Sequence, residues 1–282
     1  MSRLTTFHRK GNAITVALYK DRHRELWNKC TNCGELVFKQ ALERNSYTCP
    51  NCDYYSPMPA DGRLRYLFDS EAIFNLHPAS IDKQLLDTIG MTDLVHQNRF
   101  PDESEWLISA GEGTISNCPA VLAVVAPHAV PQRVHLVTLL VAMRTALKKK
   151  LPFITVYPSD ALAKKRSNPP EQPELSPTEI TYLTIEMDNL SQARLPQITI
   201  LTDQDRQTGF LTQFPLGDVV LAEQNRMSGS SSDRRNHSSR GESSQTTPSI
   251  SSYPSTDVSI DYYVQRKDLP ARLGKLLAFF AE

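Results

Sequence analysis

Apolar and polar positions alternate most clearly in the C-terminal two thirds of the chain, where short apolar runs are separated by stretches of helical period. "EWLISAGEGTIS" and "PAVLAVVAP" read as strands, the second so continuously apolar that both of its faces should be covered. About residues 133 to 150 the period becomes helical, with Val134, Val137, Val141 and Leu147 on one face and Lys148, Lys149 and Lys150 at the end where the helix dipole favours cations. The strand "PFITVYP" follows, then the helix "SPTEITYLTIEMDNLSQARL" with Ser176 as N-cap and Pro177 at its first position, then the strand "PQITILTD". This order predicts parallel strands joined by right-handed crossovers, an α/β layered domain. "GDVVLAE" and "VSIDYYVQ" add two strands, and "DLPARLGKLLAFFAE" adds a helix expected to dock on the core through Leu269, Leu273, Leu276, Leu277 and Phe280.

Elsewhere the pattern thins. Residues 1–25 form a basic N-terminal arm without sustained period. "ADGRLRYLFDSEAIFNL" predicts a helix with Leu64, Leu67 and Phe68 on one face and Asp61 as N-cap, and a helix-rich connector runs through "DKQLLDTIGMTDLVHQNRF". Residues 224–256 are serine-rich with scarcely an apolar anchor, so they read as a disordered or poorly packed insertion.

The length of 282 residues suits one large domain plus a small appendage. Lysine and arginine (31) balance aspartate and glutamate (31), so no global field recruits nucleic acid or an anionic membrane. No apolar stretch reaches the length of a membrane span, and no apolar signal-like run follows the N-terminus, which points to a reducing compartment.

Four of the five cysteines then change the picture. Cys30, Cys33, Cys49 and Cys52 form two CxxC knuckles in a C-x2-C-x15-C-x2-C pattern, the spacing of a closed four-thiolate zinc site. Disulfides fit neither the compartment nor the length, and neither knuckle opens a helix after a buried strand as a redox CxxC does. Gly34 supplies the positive φ of the first turn, Pro50 and Asn51 shape the second, and the segment between is long enough for a hairpin. Residues 26–56 are therefore expected to be a zinc ribbon in which one metal ion supports folding rather than chemistry. Cys118 is expected to be a small buried residue in or near a strand.

The run "LWNKCTNCGELVFKQALERNSYTCPNCDYY", followed by "RLRYLFD" and a crossover α/β domain, resembles the β subunits of the acetyl-CoA carboxylase carboxyltransferase. Trp27, Cys30, Cys33, Gly34, Leu42, Glu43, Asn45, Cys49, Pro50 and Cys52 fall in the matching order, and "GEGTI", "LPQITILTD", "GDVVLAE" and "IDYYVQRKDLPARLGKLLAFF" carry the likeness on. The resemblance implies a zinc ribbon followed by a crotonase-like (ClpP/crotonase) domain over residues 57–282. It also implies a cytoplasmic or plastid-stromal home, an α subunit and the biotin carboxyl carrier protein as partners, and acetyl-CoA and carboxybiotin as substrates. Transfer of the carboxyl group gives malonyl-CoA for fatty acid biosynthesis. That chemistry needs backbone N–H groups aimed at the enolate and ureido oxygens, and glycine lets them approach closely.

At the places that cradle anions, the chain departs from the family. The "GGSMG" turn is replaced by "PHAVPQRVHL", "SGGARMQE" by "YPSDALAKKR", and "GFAGPRVI" by the serine-rich insertion, while the "TTGG" turn keeps only Gly209 in "RQTGF". The expectation is a persisting fold with weakened or lost oxyanion contacts and no assignable catalytic residue. Lys164, Lys165 and Arg166 are candidates for CoA phosphates, against the plainer reading of a solvated basic turn. His128 and His135 read as surface or packed residues, and Asp203 and Asp205 as caps of a turn, rather than as acid–base groups. Two alternatives remain: a noncatalytic regulatory or scaffold paralogue, and, less favoured, a zinc-ribbon nucleic-acid binder. The last is weakened because Glu35, Lys39, Glu43, Arg44 and Asp53 nearly cancel in charge and no aromatic platform for bases is evident, though Tyr47, Tyr54 and Tyr55 are candidates.

Overall fold

A computed structural model describes residues 4–9, 12–17, 26–69, 74–75, 108–126, 133–159, 177–204, 217–223 and 260–281. The chain divides into two compact units, Met1–Ser56 and Pro57–Glu282. In the first, where the pattern predicted no regular element, strands β1 (Leu4–Arg9) and β2 (Asn12–Ala17) pair antiparallel from Leu4 opposite Ala17 to Arg9 opposite Asn12. The ribbon follows, with β3 (Trp27–Lys29), β4 (Leu36–Phe38) and helix α1 (Lys39–Arg44). The hairpin expected between the knuckles is not there. β3 pairs with β4 across the first knuckle, and an isolated Thr48–Tyr55 bridge closes the second, because each CxxC turn is itself a hairpin connection. The intervening segment is free to become α1, whose Leu42 packs with Val37, Cys30 and Cys49 in a small core.

The second unit begins with helix α2 (Ala60–Leu67), shorter than the apolar spacing predicted: Phe68 is already extended, and Phe74 and Asn75 form a strand. Asp61 is not its N-cap: Pro59 occupies that position with φ −58°, suited to a helix entry, and Asp61 instead pairs with Arg65 one turn on. Strands β5 (Phe74–Asn75), β6 (Ile108–Ile115) and β7 (Cys118–Val125) come next, then helix α3 (Arg133–Lys149), β8 (Phe153–Ser159), helix α4 (Pro177–Gln192), β9 (Gln197–Gln204) and β10 (Val219–Glu223). The chain ends with β11 (Tyr262–Val264), a 3-10 turn (Arg266–Asp268) and helix α5 (Leu269–Ala281). The connector through residues 76–107, the N-cap at Ser176 and the serine-rich stretch lie outside the described residues.

Among the described residues, seven strands form one sheet in the order β11-β10-β9-β8-β7-β6-β5. From β7 to β11 every pairing is parallel, as the alternation of strands and helices predicted. At the other edge β6 pairs antiparallel with β7, because only Ser116 and Asn117 separate them and a parallel crossover needs about a dozen residues or more. Both turn residues have positive φ (51° and 66°), as hairpin turns that match strand twist require. Asp69, just after α2, accepts both of their N–H groups, at 3.0 and 2.8 Å.

Alternation along β7 shows why its apolar run is continuous. Val121, Ala123 and Val125 face α3 and α4, with Leu139, Leu140, Leu183 and Leu190. Ala120, Leu122 and Val124 face α2 and α5, with Leu64, Leu67, Leu269, Leu273 and Leu277. The sheet is thus covered on both sides, and the expected buried face of α5 ends at Leu277: Leu276 is half-buried and Phe280 is 37% exposed. Gly274 of α5 comes so near the β6–β7 turn that a Cβ there would lie 2.3 Å from Ser116 Oγ.

Candidate metal centre

The two knuckles share one hydrogen-bond pattern. In the first, Gly34 N–H donates to the Cys30 carbonyl at 3.0 Å and Cys30 N–H to the Glu35 carbonyl at 2.8 Å. In the second, Asp53 N–H donates to the Cys49 carbonyl at 2.9 Å and Cys49 N–H to the Tyr54 carbonyl at 2.8 Å. Each turn needs the residue after its second cysteine at positive φ, 78° at Gly34 and 54° at Asp53. Glycine announces that conformation in a sequence; aspartate tolerates it without announcing it.

These turns bring the four sulfurs together, all within 4.8 Å of one another. Cys30 Sγ lies 3.7 Å from Cys52 Sγ, and Cys33 Sγ lies 3.9 Å from Cys49 Sγ. A tetrahedral zinc ion with Zn–S bonds of about 2.3 Å separates its sulfurs by about 3.8 Å, so the thiols are spaced for that ion. Their electrostatics agree. At Cys33 the Glu35 backbone N–H favours the thiolate, but desolvation and the three neighbouring thiols outweigh it and push the thiol up to about 12. Burial likewise raises Cys49. At Cys52 burial opposes ionisation, yet the Asn32 side chain at 3.4 Å, the Tyr54 N–H and the neighbouring thiols bring it down to about 7. Cys33 and Cys49 thus resist becoming thiolates unless a cation sits beside them. Cys30, Cys33, Cys49 and Cys52 therefore fit zinc, which they would hold with no open position; what the ion supplies is the fold of the ribbon.

Other singled-out residues do not join this centre. Cys118 opens β7, half-buried, with its sulfur 4.0 Å from the Gly274 carbonyl. Tyr47, Tyr54 and Tyr55 are half-buried, and the first two pack on the ribbon core. His135 lies on α3 and Asp203 on β9, but their side chains are outside the description, as are His128, Lys164, Lys165, Arg166 and Asp205 altogether. Sequence reasoning missed a cluster in the second unit: Arg63 of α2, Glu223 of β10 and Arg266 of the turn before α5 converge at no more than 1% exposure. No local pattern marks it, since Arg63 and Glu223 are 160 positions apart.

Comparison with known proteins adds to this geometry. Residues 27–52 match the acetyl-CoA carboxylase zinc finger domain family. The acetyl-coenzyme A carboxylase carboxyl transferase subunit beta of Sinorhizobium fredii (strain NBRC 101917 / NGR234) is 27% identical over 258 residues, 89% of this chain and 83% of that one. Its counterpart in Carboxydothermus hydrogenoformans is 25% identical over 228 residues, 77% of this chain and 78% of that one. Among solved structures, a Pseudomonas malonate decarboxylase hetero-tetramer in complex with malonate matches with a TM-score of 0.43 and 15% identity, covering 79% of this chain and 82% of that one.

Proposed function

We propose that this chain, a divergent relative of the acetyl-CoA carboxylase carboxyltransferase β subunits, serves as a β-type subunit of such a component, with weakened or absent oxyanion contacts. The reaction would move a carboxyl group from carboxybiotin to acetyl-CoA, giving malonyl-CoA for fatty acid synthesis, together with an α subunit and the biotin carboxyl carrier protein, in a cytoplasm or plastid stroma. One observation carries this reading: four thiols converge within the stretch that matches the acetyl-CoA carboxylase zinc finger domain, a run of parallel strands, β7 to β11, follows in the same chain, and the likeness to the β subunits spans 89% of it. On this reading residues 1–25 are an arm, 26–56 the ribbon and 57–282 a crotonase-like domain interrupted at 224–256.

Ligands of open parallel sheets bind beyond the carboxyl ends of the strands. β7 and β8 are parallel neighbours, so the chain leaves both at the same side of the sheet. In sequence these strands are followed by 127–132 and 160–166, neither of which contains a glycine. Lys164, Lys165 and Arg166 fall in the second and suit the phosphates of CoA. Loss of one oxyanion donor lowers turnover by about 10²-fold to 10³-fold where such losses have been measured. The glycine losses also favour a second reading, a noncatalytic scaffold that keeps association without turnover.

Malonyl-CoA formation by the chain mixed with its α partner and carrier tests both. A rate far below that of a glycine-containing β subunit is expected. A full rate overturns the weakened site, association without any turnover selects the scaffold, and failure to associate with any carboxylase component overturns the subunit reading.

A further inference from the structure

Glu223, the last residue of β10, and Arg266, in the turn after β11, stand on either side of the serine-rich stretch and are in contact. Arg266 Nε donates to Glu223 Oε2 at 3.1 Å. Arg63 of α2 grips the same carboxylate, Nη2 to Oε2 at 3.3 Å and Nη1 to Oε1. Beside them Tyr66 Oη donates to the Arg266 carbonyl, tying the turn to α2. At the start of β11, Asp261 N–H donates to the Val220 carbonyl at 2.9 Å and Val220 N–H to the Asp261 carboxylate at 2.8 Å. Between these anchors β11 pairs parallel with β10, from Leu221 opposite Tyr262 to Glu223 opposite Val264. Leu269, Leu273 and Leu277 then enter the same apolar cluster as Leu64, Leu67 and Val264.

Both ends of the serine-rich connection are thus fixed to one patch of core by contacts made outside it. We infer that residues 260–281 dock as a module held independently of the covalent connection through 224–259, with Glu223 as the shared counter-ion that closes the junction. Parallel pairing, two buried guanidiniums on one carboxylate and an apolar helix face all act without that connection. Loop closure adds an entropy term that grows only logarithmically with length. A break or a change of length there leaves the sheet closed.

The test places a site-specific protease recognition sequence at residues 240–245 of the full chain and cuts the folded protein. Size exclusion followed by mass spectrometry is expected to find the C-terminal piece eluting with the rest at one-to-one stoichiometry, released only by denaturant. Separation of the two pieces under native conditions overturns the inference. In the same background Glu223→Gln is expected to lose the piece after cutting, and retention as tight as in the parent removes Glu223 from its role. Should Glu223→Gln not fold, Tyr66→Phe serves instead: loss of the bond to the Arg266 carbonyl is expected to speed release of the piece about fivefold, and an unchanged rate counts against the junction.

Discussion

The ribbon and the sheet unit are stabilised by opposite means. The ribbon core is Cys30, Val37, Leu42 and Cys49, so half of its buried side chains are cysteines. The sheet unit buries apolar residues on both faces of seven strands, with helices over each face. A small fold that cannot bury enough apolar surface needs a staple, whereas a larger one supports even a buried charged cluster. The lesson is that stability of the two units should respond to different perturbations.

The largest expected effect is metal removal. Structural zinc supplies an apparent 10–16 kcal/mol, so chelation, or Cys49→Ser, should unfold the ribbon, on the order of its whole stability. The main thermal transition, from the sheet unit, should stay in place; metal analysis alongside NMR of the ribbon amides and calorimetry would check both halves. A collapse of the sheet unit on chelation would erase the contrast.

Next comes Glu223. Glu223→Gln leaves two buried guanidiniums short of a carboxylate and should cost about 3–5 kcal/mol in denaturant unfolding of the sheet unit, without altering metal content. Replacing Arg63, Glu223 and Arg266 together by apolar residues of similar volume should restore most of that loss.

Gly274→Ala should be smaller, about 1–3 kcal/mol, because its Cβ would meet Ser116 Oγ 2.3 Å away. Combining it with Ser116→Gly removes the obstructing atoms and suits the positive φ at that turn, so the double variant should recover stability in a thermal melt.

Smallest is the pH response of the β6–β7 turn. The N–H of Asn117, opposed by burial and joined by that of Ser116, holds the Asp69 carboxyl below its ordinary range. Because the folded value is depressed, the contribution is fully present above the unfolded carboxyl value of about 3.9 and disappears as pH falls through the folded one. The melting-temperature gap between the parent and Asp69→Asn should therefore be constant near neutrality and shrink in acid. A gap independent of pH would mean that charge plays no part in the turn.

How legible each unit was follows from the range of its interactions. The four thiols sit within 23 consecutive residues, Cys30 to Cys52, and their chemistry restricts what they can do, so their clustering was readable in the sequence. Most strands and helices of the sheet unit were readable too, since a two-residue or 3.6-residue period is local; β5 was not, because its two residues lie in a stretch whose apolar spacing reads as helix and it exists through its pairing with β6. Asp61 misled because a residue suited to capping also suits the first turn of a helix, and Phe280 misled because periodicity cannot say where the covering sheet stops.

The amino-acid sequence by itself determined the clustering of the four thiols, the order of strands and helices from β6 onward, and the covered strand at Cys118–Val125, each written in neighbouring residues. Only the tertiary structure decided that β6 turns antiparallel against β7, that Asp53 doubles the role of Gly34, and that Arg63, Glu223 and Arg266 share one buried spot. The physical reason is that charge pairing and helix docking depend on distances in space between groups far apart along the chain, and no local period encodes those distances.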